Sequence, residues 1–247
     1  MRIEVDTHTH TVLSGHAHST LLENAAAAAK IGLKGFVLTD HGPAMHAAPP
    51  EFNVLTYPFL PRHIDGVRVY PGLEANIIDF YGGMDVRNEY LKSVDFVIAA
   101  LHDAVMLSGG KKADTQASIG ALHNPHVDML AHPDSPSYLL DYEAVVKAAA
   151  QNGKLLEVND QSFSFRPGGI TNAVRYLALC KRYGVRVAVS SDAHFAYNLG
   201  RHSVALRILE ENDFPDELIV NLTMERFEKY LLERQKRLVH KESCKTP

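Results

Sequence analysis

Two histidines separated by one residue, His8 and His10, stand near the start of the chain, directly after the β-compatible run Ile3-Glu-Val5. On a strand, this spacing places both imidazole rings on the same face. Neutral imidazole nitrogens are the commonest metal ligands in proteins, and two rings at the end of one strand make a natural pair. We therefore predict that this segment is a strand whose histidines bind a metal ion.

Histidine or carboxylate side chains recur at or just after the ends of later β-like runs. They are His41 after residues 35–39, Glu74 after 67–70, His102 after 96–101, His132 after 127–131, and Asp192 and His194 after 186–190. His16, in the loop after the first run, is the ninth donor. Buried imidazole and carboxylate groups without partners are costly, so packing does not explain so many of them. The pattern predicts a metal cluster.

The number of donors indicates how many metal ions the cluster holds. Nine donors, one of them a carboxylate that bridges two ions, make ten metal–protein bonds. Catalytic zinc keeps about three protein ligands plus water, so three ions fit this total better than one or two. The imidazole-rich set without thiolates favours zinc, manganese or iron over calcium or magnesium.

Alternating strand-like and helix-like segments indicate how these donors are positioned. Helices are expected at residues 20–31, 115–123, 141–152, 171–183, 202–211 and 223–236, between or after seven strands. The alternation predicts a mostly parallel sheet with helices outside. We favour a closed barrel over an open doubly wound sheet, because the carboxyl ends of barrel strands converge on one mouth. The Ser108–Lys112 stretch lacks the spacing of a phosphate-binding loop.

Length and composition predict one soluble globular domain over residues 1–240, followed by a polar tail at 241–247. The net charge of −4 argues against binding to long nucleic acids. No apolar run reaches the roughly 18 to 20 residues of a membrane span. Cys180 and Cys244 do not form a disulfide framework, so a cytoplasmic location is expected. A homo-oligomer is possible.

Clustered divalent metals without a redox or organic-cofactor motif suit hydrolysis. Such ions lower the pKa of bound water toward about 7 and stabilise the attacking and leaving oxygens of an in-line displacement. The leading hypothesis is hydrolysis of a small-molecule phosphomonoester by a metal-bound hydroxide. The alternatives are a phosphodiesterase or nuclease acting on small nucleotides, and a non-catalytic metal-binding barrel.

The motifs also resemble those of a known family. Asp6-Thr-His-Thr-His10, Thr39-Asp-His41, Gly72-Leu-Glu74, the isolated His102 and His132, and Ser191-Asp-Ala-His194 are similar to the motifs of the PHP (polymerase and histidinol phosphatase) family. His16-Ala-His-Ser-Thr20, Thr39-Asp-His-Gly-Pro43, Gly72-Leu-Glu-Ala-Asn76, Asn159-Asp-Gln-Ser-Phe163 and Asp213-Phe-Pro215 resemble its YcdX-like phosphatase branch. The resemblance implies a distorted (β/α)7 TIM-like barrel, a trinuclear metal site and phosphatase activity.

The resemblance also implies a ligand set for each ion. His8, His10, Glu74 and Asp192 would hold the first; Glu74, His102 and His132 the second; and His16, His41 and His194 the third. Glu74, as the bridge, and Asp192 are then the catalytic carboxylates. His18 departs from the branch, where a tyrosine is expected, and is either a substrate contact or an exposed loop residue.

Other polar residues could support the site. Arg166 and Arg62 are candidates for a bidentate contact with phosphate. Asp6 and Asp40 lie near ligands in the sequence and could orient their second ring nitrogens, whereas Asn76 and Asn159 could bind substrate or hold loops.

Overall fold

The structure is a computed structural model that describes the backbone of residues 1–243 and the side chains of residues 1–239. Its strands are β1 Val5–Thr9, β2 Gly35–Leu38, β3 His63–Ile64, β4 Val67–Asn76, β5 Phe96–Ala100, β6 Met129–Leu130, β7 Leu155–Asn159 and β8 Val187–Ser190. Its α-helices are α1 Leu21–Ile31, α2 Asn88–Leu91, α3 Lys111–His123, α4 Tyr142–Asn152, α5 Asp160–Phe165, α6 Gly169–Tyr183, α7 Ser203–Glu211 and α8 Met224–Ser243. Short 3-10 helices cover Val12–Ser14, Glu51–Phe59, Ala196–Asn198 and Asp216–Leu218.

Seven parallel strands form a nearly closed barrel in the order β1-β2-β4-β5-β6-β7-β8, and β3 pairs antiparallel with the start of β4. The first and last strands approach each other through three hydrogen bonds. Thr7 Oγ1 donates to the carbonyl of Val189, Ser191 N donates to Asp6, and His10 N donates to the carbonyl of Ala193. The predicted single-domain (β/α)7 TIM-like barrel is therefore confirmed.

The helix boundaries follow from local sequence signals. Thr20 caps α1 by accepting from Glu23 N, while the Glu23 side chain accepts from Thr20 N, so two free amide groups at the helix start are satisfied. Gly32 ends α1 in the left-handed conformation that glycine adopts without steric cost. Asp141 and Gly153 perform the same two tasks for α4. These signals explain why α1 and α4 begin and end within one residue of the predicted bounds, whereas α3 begins four residues earlier than predicted and α8 ends seven residues later.

The strand that carries Glu74 is much longer than predicted. The expected strand at residues 67–70 continues to Asn76, because β4 pairs first with β2 through Pro71 and then with β5 from Gly72 onward. Pro71 lies where the partners change, so its missing N–H is tolerated. Gly72 has no room for a side chain, because a Cβ there would lie only 2.6 Å from Cγ1 of Val37. Glu74 therefore lies inside a strand and not after its end.

The barrel interior is apolar toward the amino ends of the strands. Phe227 and Tyr230 of α8 pack there against Tyr70 and Phe96, with ring centroids 5.1 to 6.1 Å apart. Helix α8 thus covers this end and leaves the carboxyl ends as the open mouth. The helix continues to Ser243, into the predicted tail, and residues 244–247 lie outside the described part of the chain. Within that part, no helix is long and apolar enough to cross a membrane.

Candidate metal centre

Glu74 lies at the centre of a ring of histidines near the carboxyl ends of the strands, and its side chain is almost fully buried. Its Oε2 atom is 2.7 Å from His41 Nδ1, 3.2 Å from His8 Nε2 and 3.5 Å from His10 Nε2. Its Oε1 atom is 3.3 Å from Nε2 of both His102 and His132. The two carboxylate oxygens therefore face two different groups of imidazoles, which is the geometry that a bridging ligand needs.

A second carboxylate joins the first group of histidines from the opposite side of the barrel seam. Oδ1 of Asp192 lies 3.1 Å from His10 Nε2, and 3.5 Å from both His8 Nε2 and His194 Nδ1. His194 in turn has its Nε2 atom 3.0 Å from His16 Nε2. His16 Nε2 is also 3.4 Å from His41 Nε2. The fold thus brings all nine predicted donors into one group, hereafter the donor cluster.

The donor atoms are suited to a metal ion. Five of them are buried without a hydrogen-bond partner: His8 Nε2, His10 Nε2, His41 Nδ1, Glu74 Oε2 and Asp192 Oδ1. Buried polar atoms are normally satisfied, and metal ions placed among these lone pairs would supply the missing partners. Three sets place ligand atoms within 4.8 Å of one another: His10, His41 and His194; His8, His10 and Glu74; and His41, Glu74 and His102.

Backbone strain accompanies two of the donors. His132 has a φ of 27° and Asp192 a φ of 53°, both in the left-handed region. Such conformations cost about 1–3 kcal/mol in residues other than glycine and are concentrated at functional sites. In both places the strained residue follows a short barrel strand, and the turn directs its side chain toward the donor cluster.

Burial and charge act against each other in the donor cluster. Burial would raise the pKa of Glu74, but the imidazoles of His8 and His41 hold it well below the usual range of a carboxyl. Burial would lower the pKa of His8, but Asp192, Glu74 and Glu157 raise it well above its ordinary value. Buried carboxylates thus attract positive charge to this position, whether the charge is a proton or a metal ion.

Glu157, inside β7, is a functional residue that sequence reasoning missed. Its Oε1 atom accepts a hydrogen bond from His8 Nδ1 at 2.6 Å, and its Oε2 atom accepts one from His132 N at 2.6 Å. A carboxylate that binds the second nitrogen of a histidine fixes the tautomer and the ring orientation. The available signal was a glutamate within the apolar run Leu155-Leu-Glu-Val158, on the same side of the strand as Asn159.

The two aspartates expected to orient ring nitrogens have other roles. Asp40 acts through Ser14, whose Oγ donates to Asp40 Oδ1 at 2.7 Å and lies 2.9 Å from His10 Nδ1. Asp6 accepts from the amides of Ser191 and Gly200, and so ties β1 to the loop after β8. Asp40 therefore supports a ligand indirectly, while Asp6 holds the barrel seam.

The three predicted substrate contacts occupy different environments. Arg166 follows α5, donates to Ser162 Oγ at 2.7 Å, and adds to burial in lowering the pKa of His132, so its charge acts on the donor cluster. His18 is exposed, and its backbone N donates to the carbonyl of His194 at 2.8 Å. Arg62 forms an ion pair with Asp95, directly before the amino end of β5. Arg62 therefore lies at the end of the barrel opposite to the donor cluster, away from the position expected of a substrate contact.

Asn159 holds loops, as one of its two predicted roles requires. Its Oδ1 atom accepts from Ser162 N and so caps α5, while its Nδ2 atom donates to Asp192 Oδ2 at 3.1 Å. Asn76 contacts His102 directly, with 2.7 Å between Oδ1 and the ring Nδ1 atom. Both amides therefore act on predicted ligands from the side that faces away from the cluster centre.

The fold and the donor cluster together define a (β/α)7 barrel with a histidine- and carboxylate-rich candidate metal centre at the carboxyl ends of its strands. A family model described as the PHP domain matches residues 6–243, so the chain belongs to the PHP domain family, as its motifs predicted.

Relatives that match this chain over nearly its full length are named probable phosphatases. A protein of Acetivibrio thermocellus named probable phosphatase is 43% identical over 241 residues, covering 98% of this chain and 100% of its own length. A probable phosphatase of Caldicellulosiruptor saccharolyticus is 44% identical over 231 residues, covering 94% and 97%. Among solved structures, histidinol phosphate phosphatase of Lactococcus lactis, complexed with zinc, L-histidinol and phosphate, shares the fold. Its TM-score is 0.61 at 19% identity, over 87% of this chain and 95% of that one.

Proposed function

We propose that this chain is a metal-dependent phosphatase that hydrolyses a small-molecule phosphomonoester. The observation that carries the proposal is the position of Glu74, whose two oxygens lie within 3.5 Å of five imidazole rings from four different strand ends. This arrangement is suited to two or more ions held side by side. The name probable phosphatase, carried by relatives over nearly their full length, supports the reaction class.

The donor cluster would hold three divalent ions in the predicted sets. His8, His10, Glu74 and Asp192 would bind the first, Glu74, His102 and His132 the second, and His16, His41 and His194 the third. The close approach of Nε2 atoms from His16, His41 and His194 supports the third set. Imidazole-rich sets suit zinc, and the zinc in the Lactococcus lactis protein makes it the first ion to test, ahead of manganese and iron.

Ions at such a centre lower the pKa of water and stabilise charge that develops on phosphate oxygens. The protein's own residues would prepare the site for that chemistry. Glu157 holds the His8 ring through Nδ1, which leaves Nε2 directed at Glu74. Arg166 brings a permanent positive charge to the side of His132 and would bind two oxygens of the substrate phosphate.

The deciding experiment measures hydrolysis of p-nitrophenyl phosphate by chelator-stripped protein, with zinc, manganese or iron added back. Bis(p-nitrophenyl) phosphate is run in parallel. Metal-restored activity on the monoester with little on the diester is the expected result. Preference for the diester would replace the proposal with a nucleotide phosphodiesterase. Restored metal binding without hydrolysis of either ester, or of a panel of phosphorylated metabolites, would favour the non-catalytic barrel.

A further inference from the structure

The side-chain amide of Asn76 lies between His102, a predicted metal ligand, and the carboxylate of Asp85. Asn76 Oδ1 is 2.7 Å from His102 Nδ1, and Asn76 Nδ2 is 2.6 Å from Asp85 Oδ2. Asn76 is fully buried at the end of β4, two residues after Glu74. Asp85 belongs to the loop between β4 and α2, so the contact joins two parts of the chain nine residues apart.

The protons in this chain of contacts can be assigned from chemistry alone. Asn76 Nδ2 donates to the carbonyl of Gly42 at 3.1 Å as well as to Asp85; a carbonyl and an ionised carboxylate both only accept. The amide therefore cannot turn over, and its oxygen must face His102. Since that oxygen only accepts, His102 carries its hydrogen on Nδ1. The lone pair on Nε2 then points toward Glu74 Oε1, 3.3 Å away.

Asp85 is itself held in place by the backbone. Its Oδ1 atom accepts from Asn76 N at 2.8 Å, and its Oδ2 atom accepts from Ala44 N at 3.0 Å. The glycine at position 42 permits this approach, because a Cβ there would lie 2.4 Å from Asp85 Oδ2. Asp85 thus joins the loop that follows His41 to the end of β4 and has little freedom to move.

We propose that Asn76 is a positioning residue that sets the tautomer of His102, and that Asp85 sets the orientation of Asn76. The proposal rests on the metal centre of the proposed function. Asn76 and Asp85 contact no reacting atom; they act through His102 on the second ion. Together, Asp85 and Asn76 fix which nitrogen of His102 presents its lone pair to Glu74.

The first test removes the acceptor while keeping the size of the side chain. In N76L the Nδ1 hydrogen of His102 loses its partner, so the form with hydrogen on Nε2 gains population. We expect zinc affinity at one site of three to fall about 10- to 100-fold, the effect usual for loss of a group that orients a ligand. The matched control is N152L, because the side chain of Asn152 donates to the carbonyl of Ala148 within its own helix, α4.

The second test exchanges the polarity of the pair. N76D sets two carboxylates against each other across the 2.6 Å contact and is expected to weaken zinc binding. In N76D/D85N, the new amide at position 85 can donate to the new carboxylate at position 76, which still accepts from His102 Nδ1. We expect the double variant to bind zinc more tightly than N76D but less tightly than the wild type, because the oxygen at position 76 still faces the Gly42 carbonyl and the amide at position 85 opposes Ala44 N. The single variant D85N completes the double-mutant cycle.

Two measurements separate positioning from a general loss of structure. Nitrogen-15 NMR of histidine-labelled, zinc-free protein near pH 8, where an ordinary histidine is neutral, reports which nitrogen of His102 carries the hydrogen. Its signals are assigned by their loss in H102Q. Competition of zinc against a chromophoric chelator gives the affinity of each site. Neither measurement involves a phosphate ester, so both can be interpreted even if the phosphatase proposal fails.

The expected pattern is hydrogen on Nδ1 in the wild type, N152L and N76D/D85N, with the Nε2 form appearing in N76L. An N76L variant that keeps both the Nδ1 hydrogen and wild-type zinc affinity would overturn the role of Asn76. A double variant that binds zinc no better than N76D would overturn the role of Asp85. If N76D does not fold, N76L still tests the role of Asn76, and D85N tests that of Asp85.

Discussion

The substitution E157Q is the sharpest test of how the barrel orients its predicted metal ligands. Each carboxylate oxygen of Glu157 accepts two hydrogen bonds. Oε1 accepts from His8 Nδ1 at 2.6 Å and Ser190 Oγ at 2.5 Å. Oε2 accepts from His132 N at 2.6 Å and Asn159 Nδ2 at 3.2 Å. Glutamine has the same shape but only one side-chain oxygen. Its NH₂ group must therefore face a hydrogen-bond donor in either orientation.

The cost of each orientation follows from the group that it opposes. With NH₂ toward His8, the ring must accept on Nδ1, which moves its hydrogen to the nitrogen facing Glu74 and weakens zinc binding about 10- to 100-fold. This factor corresponds to about 1.4–3 kcal/mol. With NH₂ toward His132, a buried backbone N–H loses its acceptor, which costs about 1–3 kcal/mol of unfolding free energy. Either route therefore produces a measurable loss.

The assay pairs zinc titration with urea unfolding of the zinc-free protein. We expect E157Q to lose zinc affinity, unfolding free energy or both by these amounts. The matched control is E143Q, the same chemical change at an exposed helix position where Glu143 contacts Lys147 and Tyr183; its zinc affinity should equal that of the wild type. If E157Q matches the wild type in both measurements, Glu157 does not hold His8 and His132 as described.

Three further predictions follow from the same geometry. E74Q should lower bound zinc by more than one ion per chain, because both oxygens of Glu74 face imidazoles; near-normal zinc content and rate would contradict bridging. R166A should raise KM for a phosphomonoester at least tenfold, whereas R62A, at the opposite end of the barrel, should leave KM unchanged; equal effects would refute the phosphate contact. Burial, opposed by Arg166, raises the pKa of Asp134 from 3.8 to about 7. Between about pH 4 and 7, the folded state therefore keeps a proton that the unfolded state releases. This group lowers the free energy of unfolding of the wild type by about 4 kcal/mol as the pH rises through that range. D134N should accordingly stabilise the zinc-free protein more at pH 8 than at pH 5, and an equal difference at both pH values would contradict this reasoning.

The repeated strand-end donors explain why the candidate metal centre could be predicted from the sequence. His8 and His10 share a strand face, and His132, Asp192 and His194 follow β-like runs. In a parallel barrel, all such ends meet at one mouth, so local position already implies spatial proximity. The same reasoning correctly predicted the barrel, because alternating strands and helices permit few other architectures.

The prediction for β4 was less complete, for a physical reason. Val67–Tyr70 is recognisable from its alternating apolar residues, but Pro71 and Gly72 read as the end of a strand. Only pairing with two successive neighbours extends β4 to Asn76. The location of Arg62 also depends on pairing, since the short antiparallel β3 that follows it packs beside the amino end of β4.

The sequence by itself determined the strand-end donors, the helix caps and the parallel alternation, because each depends on residues near one another in the chain. Only the tertiary structure decided which groups orient those donors. Glu157 reaches His8 across 149 residues, and Asn76 reaches His102 across 26. Such contacts depend on strand register and on which inward-facing side chains share a level of the barrel. Neither is set by any local pattern, because register is established only when neighbouring strands pair.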